Sequence, residues 1–420
     1  MTKTVKAAAL AAVAALLLAA CGGSAGGSKV LVISSDLPLQ GSNKDGNDMT
    51  NNAIQLYLDS LGNKVTTADG TEYTLEFKIY DNATAAKGSW DDAQCAKNAQ
   101  EHVANANEIA VMGTYNSGCA KIIVPVLNQD PNGPMLMISN ANTNPGLTKP
   151  WDPGEPEKYY PTGKRNYGRT IATDDFQGAA GAQFFAQDIG VKKCLVVNDN
   201  STYGQGVAKA FADAAAKEGI TIIDNAAYDS KQPSYKAFFQ KYAGQNPDCV
   251  YIGATFDMNG GQLVKDKVAA LGDNTKVKLL APDGFVGYPE FDALAEAQGA
   301  YLTFAGLPAD LLQANGGKPA EFAASYKEKF GVDLTNSYAL YGVAAVQVII
   351  EAIKASDGTR AGVTNAVLSG SGVVVGTDIS VLGKEIRLDP MTGDTAALDV
   401  TVLLVKDGKE TTLKPWAVQL

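Results

Sequence analysis

The chain has 420 residues, a formal net charge of -10 and a single histidine. The acidic balance, without any basic run, argues against nucleic acid as a partner, and the lack of a His/Cys/Asp cluster in the sequence argues against a zinc site. Residues 29–420 exceed what one hydrophobic core usually supports, so we expect two domains.

The N-terminus has the pattern of a bacterial secretory leader. Lys3 and Lys6 precede an Ala/Leu run over residues 7–20 that is too short to remain as a membrane-spanning helix. The run ends in "LAAC", which resembles the bacterial lipobox, a motif whose cysteine, here Cys21, is lipidated after cleavage. A plain signal peptide followed by an unrelated cysteine is the alternative.

The segment "GGSAGGS", residues 22–28, contains no large apolar residue and predicts a flexible tether. We therefore expect a signal peptide over residues 1–20 and a lipid anchor with its tether over residues 21–28. The folded protein is expected to begin near Lys29, outside the cytoplasm and anchored to the bacterial cell membrane.

Beyond the tether, short runs rich in β-branched and aromatic residues alternate with longer amphipathic stretches. Strands are predicted in a first series at residues 29–35, 73–81, 109–115 and 134–139, and in a second series at residues 168–174, 194–199, 220–228, 249–255, 277–283 and 300–308. Helices are predicted over residues 51–61, 90–104, 120–129, 177–189, 206–218, 235–243 and 260–271. Repeated strand, helix and strand indicate a parallel sheet covered on both faces. Because the pattern occurs twice, we predict an α/β fold with two doubly wound parallel-sheet lobes.

Residues 148–168, between the two series, are rich in Pro, Gly and charge and are predicted to form the first crossing between the lobes, enlarged by a surface loop. Near the C-terminus, two amphipathic helices should return to the first lobe, and two strands should form the last crossing and an edge; they lie at residues 318–331, 336–358, 384–389 and 398–409. The predicted lobe 1 comprises residues 29–148 and about 308–375, and lobe 2 comprises about 149–307 and about 376–420.

Four cysteines remain besides Cys21, and an even number in an oxidising compartment suggests pairing. We predict a disulfide between Cys95 and Cys119, whose loop closure would contribute about 3 kcal/mol. Cys194 and Cys249 each open an apolar strand and could form a second pair. Buried free thiols are the alternative for both pairs.

The histidine lies among polar neighbours in "DDAQCAKNAQEHVANA". We expect His102 at the surface rather than in a catalytic or metal site.

Several predicted strands end in small polar residues, as in "GTYNSGCAK", "MISNANTNPGLT" and "NDNSTYGQG". In open parallel sheets, ligands bind at the carboxyl ends of the strands. Ser117 lies where a hydroxyl would cap the following helix and leave backbone N–H groups free for an anion. Thr143 adds a hydroxyl and Ala141 a backbone carbonyl. Ordinary strand-to-helix caps are the alternative for each loop taken alone.

Taken in order and spacing, these loops resemble the branched-chain amino acid (Leu/Ile/Val) binding proteins of ABC importers. The motifs are "GTYNSGCAK", "MLMISNANTNPGLT", "GRTIATDDFQGAAGAQFFA", "VVNDNSTYGQGVAKAF", "CVYIGATFDMNG" and "LLAPDG". The resemblance implies the type I periplasmic binding protein fold, in which a three-strand hinge joins two α/β lobes that enclose the ligand. It further implies an amino acid ligand, a permease and ATPase complex as partner, and no enzymatic activity; we expect a monomer without cofactor or metal.

The resemblance also assigns roles to individual residues. It implies that Ser117 and Thr143 bind the ligand carboxylate, that the carbonyl of Ala141 and the carboxylate of Asp283 bind the ammonium, and that Tyr203 contacts the ligand from the closing lobe.

The sequence departs from the family pattern at three positions. Thr255, also expected to contact the ligand, stands where the family has a second tyrosine, Asp45 falls near another family tyrosine, and Asp283 is one methylene shorter than the family glutamate. The side-chain pocket is therefore expected to differ from that of a leucine binder. Its candidate walls, for which core packing is an alternative role, are Tyr115, Asn116, Phe256 and Tyr338.

An enzyme and a ligand sensor are the two alternatives to a binding protein of an importer. A secreted α/β hydrolase needs a Gly-x-Ser-x-Gly elbow and a histidine base, whereas "SGSG" at residues 369–372 has the wrong spacing and His102 lies outside the strand-end loops. A ligand sensor shares the fold and is an alternative function. An amide or another small polar metabolite is an alternative ligand to an amino acid.

Overall fold

A computed structural model describes residues 29–419. The predicted signal peptide, Cys21 and the tether lie outside the described residues.

The described residues form two large sheets and two small two-stranded ones. The strands are β1 (Val30–Leu37), β2 (Lys64–Thr66), β3 (Glu72–Asp81), β4 (Ala83–Thr84), β5 (Ser89–Trp90), β6 (Glu108–Gly113), β7 (Leu136–Ser139), β8 (Tyr167–Arg169), β9 (Lys193–Asn198), β10 (Thr221–Ala227), β11 (Cys249–Gly253), β12 (Lys278–Ala281), β13 (Tyr301–Phe304), β14 (Val374–Val375), β15 (Ile386–Arg387), β16 (Val400–Lys406) and β17 (Lys409–Trp416). The first sheet has the order β2-β3-β1-β6-β7-β8, and the second has the order β10-β9-β11-β12-β13-β16-β17.

Helices separate most of these strands along the chain. The α-helices are α1 (Lys44–Ser60), α2 (Asp92–Ala104), α3 (Ser117–Asn128), α4 (Asp174–Phe184), α5 (Thr202–Lys217), α6 (Lys236–Ala243), α7 (Gly260–Leu271), α8 (Pro289–Asp292), α9 (Ala309–Ala314), α10 (Gly317–Phe330), α11 (Ser337–Lys354) and α12 (Arg360–Leu368).

The central strands of both sheets are parallel, as predicted. In the first lobe β1 pairs in parallel with β3 and β6, and in the second lobe β11 pairs in parallel with β9 and β12. Every residue of β6 and of β11 is buried, which is typical of strands covered by helices on both faces. The second sheet ends in the antiparallel strands β16 and β17.

The segment predicted as the first crossing instead packs on the first lobe. Tyr159 and Tyr160 are buried in one hydrophobic cluster with residues of α3 and β7, and β8 forms the edge of the first sheet. The chain leaves that sheet after Arg169, and the N–H of Ala172 donates to the carbonyl of Ala305 on a neighbouring crossing at 3.0 Å. The composition of this segment predicts a linker, but its aromatic side chains pack into the first lobe and bury it.

A similar difference occurs near the C-terminus. The small strands β14 and β15 pack against α11 of the first lobe, and the chain enters the second sheet only at β16. Helix α11 is long and apolar enough to cross a membrane, but 89% of it is buried inside the protein. It is therefore a core helix of the first lobe.

Two disulfides are present among the described residues. Cys95–Cys119 joins α2 to α3, and Cys194–Cys249 joins the adjacent strands β9 and β11, where the two residues are direct partners in register. They close loops with sequence separations of 24 and 55 residues, and each such loop removes about 3 to 4 kcal/mol of unfolded-state entropy.

The prediction that His102 lies at the surface is wrong. Its side chain is fully buried between Asp36 at the end of β1 and Glu108 at the start of β6. Most of the polar neighbours in sequence lie on the exposed face of α2, whereas Asn98 shares the buried face and the two carboxylates beside the ring come from the sheet.

Candidate functional site

The carboxyl ends of the parallel strands of both lobes face the same cleft. In the first lobe, the loops after β1 and β6 carry Asn43 and Tyr115 to this cleft, and the loop after β7 carries Asn144, which donates to Thr202 of the second lobe. In the second lobe, the loops after β9, β11 and β12 carry Tyr203, Thr255 and Asp283 to it. Residues predicted from separate loops are therefore assembled because each follows a parallel strand.

The loop after β7 is held by the fully buried Arg169. The Arg169 guanidinium donates to the carbonyls of Asn142 and Asn144, both at 2.9 Å, and pairs with Asp394 at 2.8 Å. The Thr143 side chain is fully buried, and its Oγ1 has no hydrogen-bond partner. The hydroxyl lies close enough to the carboxyl of Asp174, at the start of α4, to lower the pKa of that group.

Ser117 is the first residue of α3 rather than its N-cap. The N-cap is Asn116, whose side chain makes no capping hydrogen bond and whose Oδ1 is buried without a partner. The Ser117 Oγ accepts a hydrogen bond from the N–H of Asn144 at 3.4 Å. The loops after β6 and β7 therefore meet at Ser117, while the first turn of α3 receives no side-chain cap.

Asp283 is the most densely bonded carboxylate of the cleft. Its Oδ1 accepts from Gln177 Nε2 at 2.9 Å and from the Tyr203 hydroxyl at 2.5 Å, and its Oδ2 accepts from the Tyr338 hydroxyl at 3.0 Å. Because Tyr338 belongs to the first lobe and Tyr203 to the second, Asp283 joins the two lobes. Burial raises the pKa of the Asp283 carboxyl, and the three side-chain donors and the backbone N–H of Asp283 oppose that rise.

A second carboxylate, Asp174, lies beside Asp283 and was not predicted. It is fully buried at the start of α4, where its Oδ1 accepts from Gln177 at 3.1 Å and its Oδ2 has no partner. Burial first, and then the charge of Asp283, raise the pKa of Asp174 well above its usual value. The two buried carboxylates are bridged by the amide of Gln177, and the raised pKa of Asp174 means that the pair favours a single negative charge.

The predicted residues Ser117, Tyr203 and Thr255 line one small cavity between the lobes. Its volume is about 10 Å³, and Asn116 and Trp90 also line it. A second cavity, of about 20 Å³, is lined by Asn43, Tyr115, Tyr288 and Tyr338. Each has room for roughly one water molecule, so the lobes must part before a larger molecule can enter.

The candidate walls divide into two groups. Tyr115 and Tyr338 contact each other edge to face, with ring centroids 5.3 Å apart, and both line the second cavity. Phe256 instead packs on Phe285 and Phe291 in the second lobe, with centroids 5.9 and 5.8 Å away.

Asp45 lies outside the two small cavities. It lines a wider groove of about 520 Å³. Its departure from the family pattern therefore does not bear on the cavity beside Tyr115.

Polar contacts also tie the lobes together across the cleft. Asn144 Nδ2 donates to the carbonyl of Thr202 at 3.0 Å, and the Tyr288 hydroxyl donates to Asn43 Oδ1. With the bond from Tyr338 to Asp283, these contacts hold the described structure in a closed arrangement.

A family model described as periplasmic binding protein matches residues 31–397. A Leu/Ile/Val-binding protein of Rhizobium johnstonii is 28% identical over 234 residues, which are 54% of this chain and 55% of that protein. A Leu/Ile/Val-binding protein homolog of Brucella melitensis is 30% identical over 173 residues, 39% of this chain and 42% of that protein. The chain thus spans about half the length of these curated relatives.

Solved structures with the same fold cover almost the whole chain. A leucine-binding protein from Thermotoga maritima aligns with a TM-score of 0.72 at 20% identity, covering 92% of this chain and 98% of that chain. A solute-binding protein of an ABC transporter from Rhodopseudomonas palustris, in complex with p-hydroxybenzoic acid, aligns with a TM-score of 0.73 at 19% identity, covering 93% and 98%. At this level of identity the likeness is one of fold.

Proposed function

We propose that this chain, which belongs to the periplasmic binding protein family, is the extracytoplasmic binding subunit of an ABC importer and captures an α-amino acid between its lobes. The named relatives bind leucine, isoleucine and valine, whereas a structural neighbour holds an aromatic carboxylate. A carboxylate is the feature that these ligands share. The ammonium is the feature that this chain must recognise for the proposal to hold.

The observation that carries the proposal is the open acceptor position on Asp283. A carboxylate offers about four acceptor positions, and Gln177, Tyr203 and Tyr338 occupy three of them. Among the described side chains, Tyr338 is the donor to Oδ2, and this oxygen can accept a further hydrogen bond from an ammonium. A buried cation needs a compensating charge, and Asp283 supplies it, because the raised pKa of Asp174 favours the neutral form of that carboxyl.

The carboxylate of the ligand would be bound on the first lobe. The buried hydroxyl of Thr143 and the uncapped N-terminus of α3 at Ser117 provide neutral donors and a favourable helix dipole. The closing lobe would add Tyr203 and Thr255, which line the same cavity as Ser117.

Calorimetric titration with a panel of ligands tests this function. The panel includes L-leucine and L-lysine, isobutylamine with an ammonium alone, benzoate with a carboxylate alone, and acetamide with neither group, so that ammonium and carboxylate are varied separately. We expect amino acids to bind and the two mono-functional ligands to bind much more weakly, because each satisfies only one half of the cleft. Tight binding of acetamide or benzoate alone would contradict the proposal.

A ligand sensor of the same fold would hold its ligand in the same way and differ in its partner. Genes for a permease and an ATPase next to the gene for this chain would support the importer. Their absence would favour the sensor.

We predict that ligand binding compacts the protein. Each half of the site is incomplete alone, and the small cavities of the closed arrangement exclude direct entry, so ligand should bind the open protein and close it by hinge bending. Small-angle scattering should show a smaller radius of gyration at saturating ligand. An unchanged radius would argue against hinge closure.

We also predict that Cys21 carries the membrane anchor. Cys21→Ala should release the protein into the medium or leave the precursor unprocessed, because cleavage and lipidation at a lipobox both need the cysteine. Fractionation followed by immunoblotting measures this. A variant that stays in the membrane fraction at the size of the processed native protein would show that the lipobox interpretation is wrong.

A further inference from the structure

Beside Asp283, the cleft contains another group of polar side chains, which we call the distal cluster. It consists of Asn43 and Tyr115 from the first lobe and Asp257 and Tyr288 from the second. Asn43 accepts a hydrogen bond from the Tyr288 hydroxyl, and Tyr115 packs edge to face on Tyr338, whose hydroxyl reaches Asp283. The distal cluster is therefore separated from Asp283 by the pair of tyrosine rings.

Bonding capacity in the distal cluster is unused on both sides of the cleft. Both carboxylate oxygens of Asp257 are buried and have no hydrogen-bond partner, and the same is true of Asn43 Nδ2. Asn43 is only 5% exposed, so water does not freely serve its amide. Thr255, Asn43 and the backbone N–H of Asp257 lie close enough to lower the pKa of this carboxyl, but all three groups are neutral, so its charge has no cationic partner.

The surroundings of Asp257 supply no positive charge. The groups that face it are Thr255, Asp199 and Asn43, together with the aromatic hydroxyls of Tyr115, Tyr228 and Tyr288. Burial, with the charge of Asp199 adding to it, raises the pKa of Asp257 to about 6. The carboxyl is therefore still mostly ionised at neutral pH.

Resting on the function proposed above, we propose that Asp257 binds a cationic group at the far end of the ligand side chain, so that the ligand is a basic L-amino acid rather than an aliphatic one. The amine, amidine or guanidine of such a side chain donates to both Asp257 oxygens, and Asp283 binds the α-ammonium. Leucine or valine in the same position would leave Asp257 buried and unpaired, so the distal cluster selects against them.

Calorimetric titration of the purified protein at neutral pH tests this proposal with matched pairs of ligands. L-Lysine is compared with L-norleucine, and L-arginine with L-citrulline, because the members of each pair differ mainly in side-chain charge. We expect at least one basic member to bind about tenfold or more tightly than its neutral partner. Asp257→Asn, which keeps the shape of the side chain, should remove most of that preference and change the affinity for the neutral ligand little.

The outcomes separate this inference from the proposed function. If neutral amino acids bind as tightly as basic ones, or if Asp257→Asn leaves their ratio unchanged, the inference is overturned while the amino acid binding function stands. If no amino acid binds, the proposed function fails and the inference with it. Thermal unfolding of Asp257→Asn, and of Asp257→Ser as a second variant, establishes that the proteins compared are folded.

Discussion

Asp283→Asn is expected to weaken amino acid binding by about 2 to 4 kcal/mol, because a buried ammonium loses its charged partner. The variant keeps an oxygen for the donors Gln177 and Tyr203 but places a neutral amide where the ligand ammonium would bind. Calorimetry with whichever amino acid binds the native protein measures the change. Equal affinity in the variant would overturn the amino acid assignment and leave the fold intact.

A control and a second readout sharpen this test. Asp213→Asn removes an exposed carboxylate on α5 that pairs only with Lys209, and it should leave affinity unchanged. Because burial raises the pKa of Asp283, its ionised form opposes folding at neutral pH. Asp283→Asn should therefore unfold at a temperature no lower than the native protein. Loss of binding together with a large loss of stability would point to a structural role instead.

The central strands could be predicted from the sequence because their burial is continuous. Strands such as β6 and β11 are apolar at nearly every position, and this pattern predicts a buried strand whichever strands pair with it. Helix α1 begins seven residues before its predicted start at residue 51. The first half of this helix is polar. Because its buried positions include Asn47 and Thr50, the sequence there lacks the apolar periodicity that predicts an amphipathic helix.

The assembled site could be predicted only where a residue follows a parallel strand. Ser117, Tyr203 and Thr255 do, and they meet in one cavity. Asp174 and Arg169 escaped prediction because their roles arise from partners far along the chain: Arg169 pairs with a residue 225 positions away. Such pairings depend on how the crossings between lobes are arranged, and that arrangement was itself misplaced by about 20 residues in the predicted boundary at residue 149.

The burial of His102 likewise depends on partners that lie far along the chain or in the sheet. Its replacement is the second change for which we expect a large effect, here on the free energy of unfolding. Its Nε2 lies 3.0 Å from Asp36 Oδ2, and its Nδ1 lies 2.5 Å from Glu108 Oε1. Ser34 and Tyr80 also donate to Glu108. Burial alone would lower the pKa of His102, but the hydrogen bonds and charges of Asp36 and Glu108 outweigh it and raise the pKa to about 9. The ring is therefore an imidazolium between two buried carboxylates.

His102→Gln is expected to cost about 3 to 5 kcal/mol of stability at pH 6, because it leaves Asp36 and Glu108 without their cation. The folded-state pKa of His102 is about 9 against an ordinary value of 6.5, so the stabilisation by the proton is complete below pH 6.5 and is lost as the pH rises through 9. The difference in free energy of unfolding between native and variant proteins should shrink by about 3 kcal/mol over this window.

Urea unfolding of both proteins across that range measures the difference. Lys267, whose pKa is lowered to about 7, and Glu410, whose pKa is raised to about 8, also titrate in this window. Both groups are present in the native protein and in the variant, so their contributions cancel in the comparison. A difference that stays constant with pH would mean that His102 is neutral in the folded protein, and the two carboxylates would then have to share a proton.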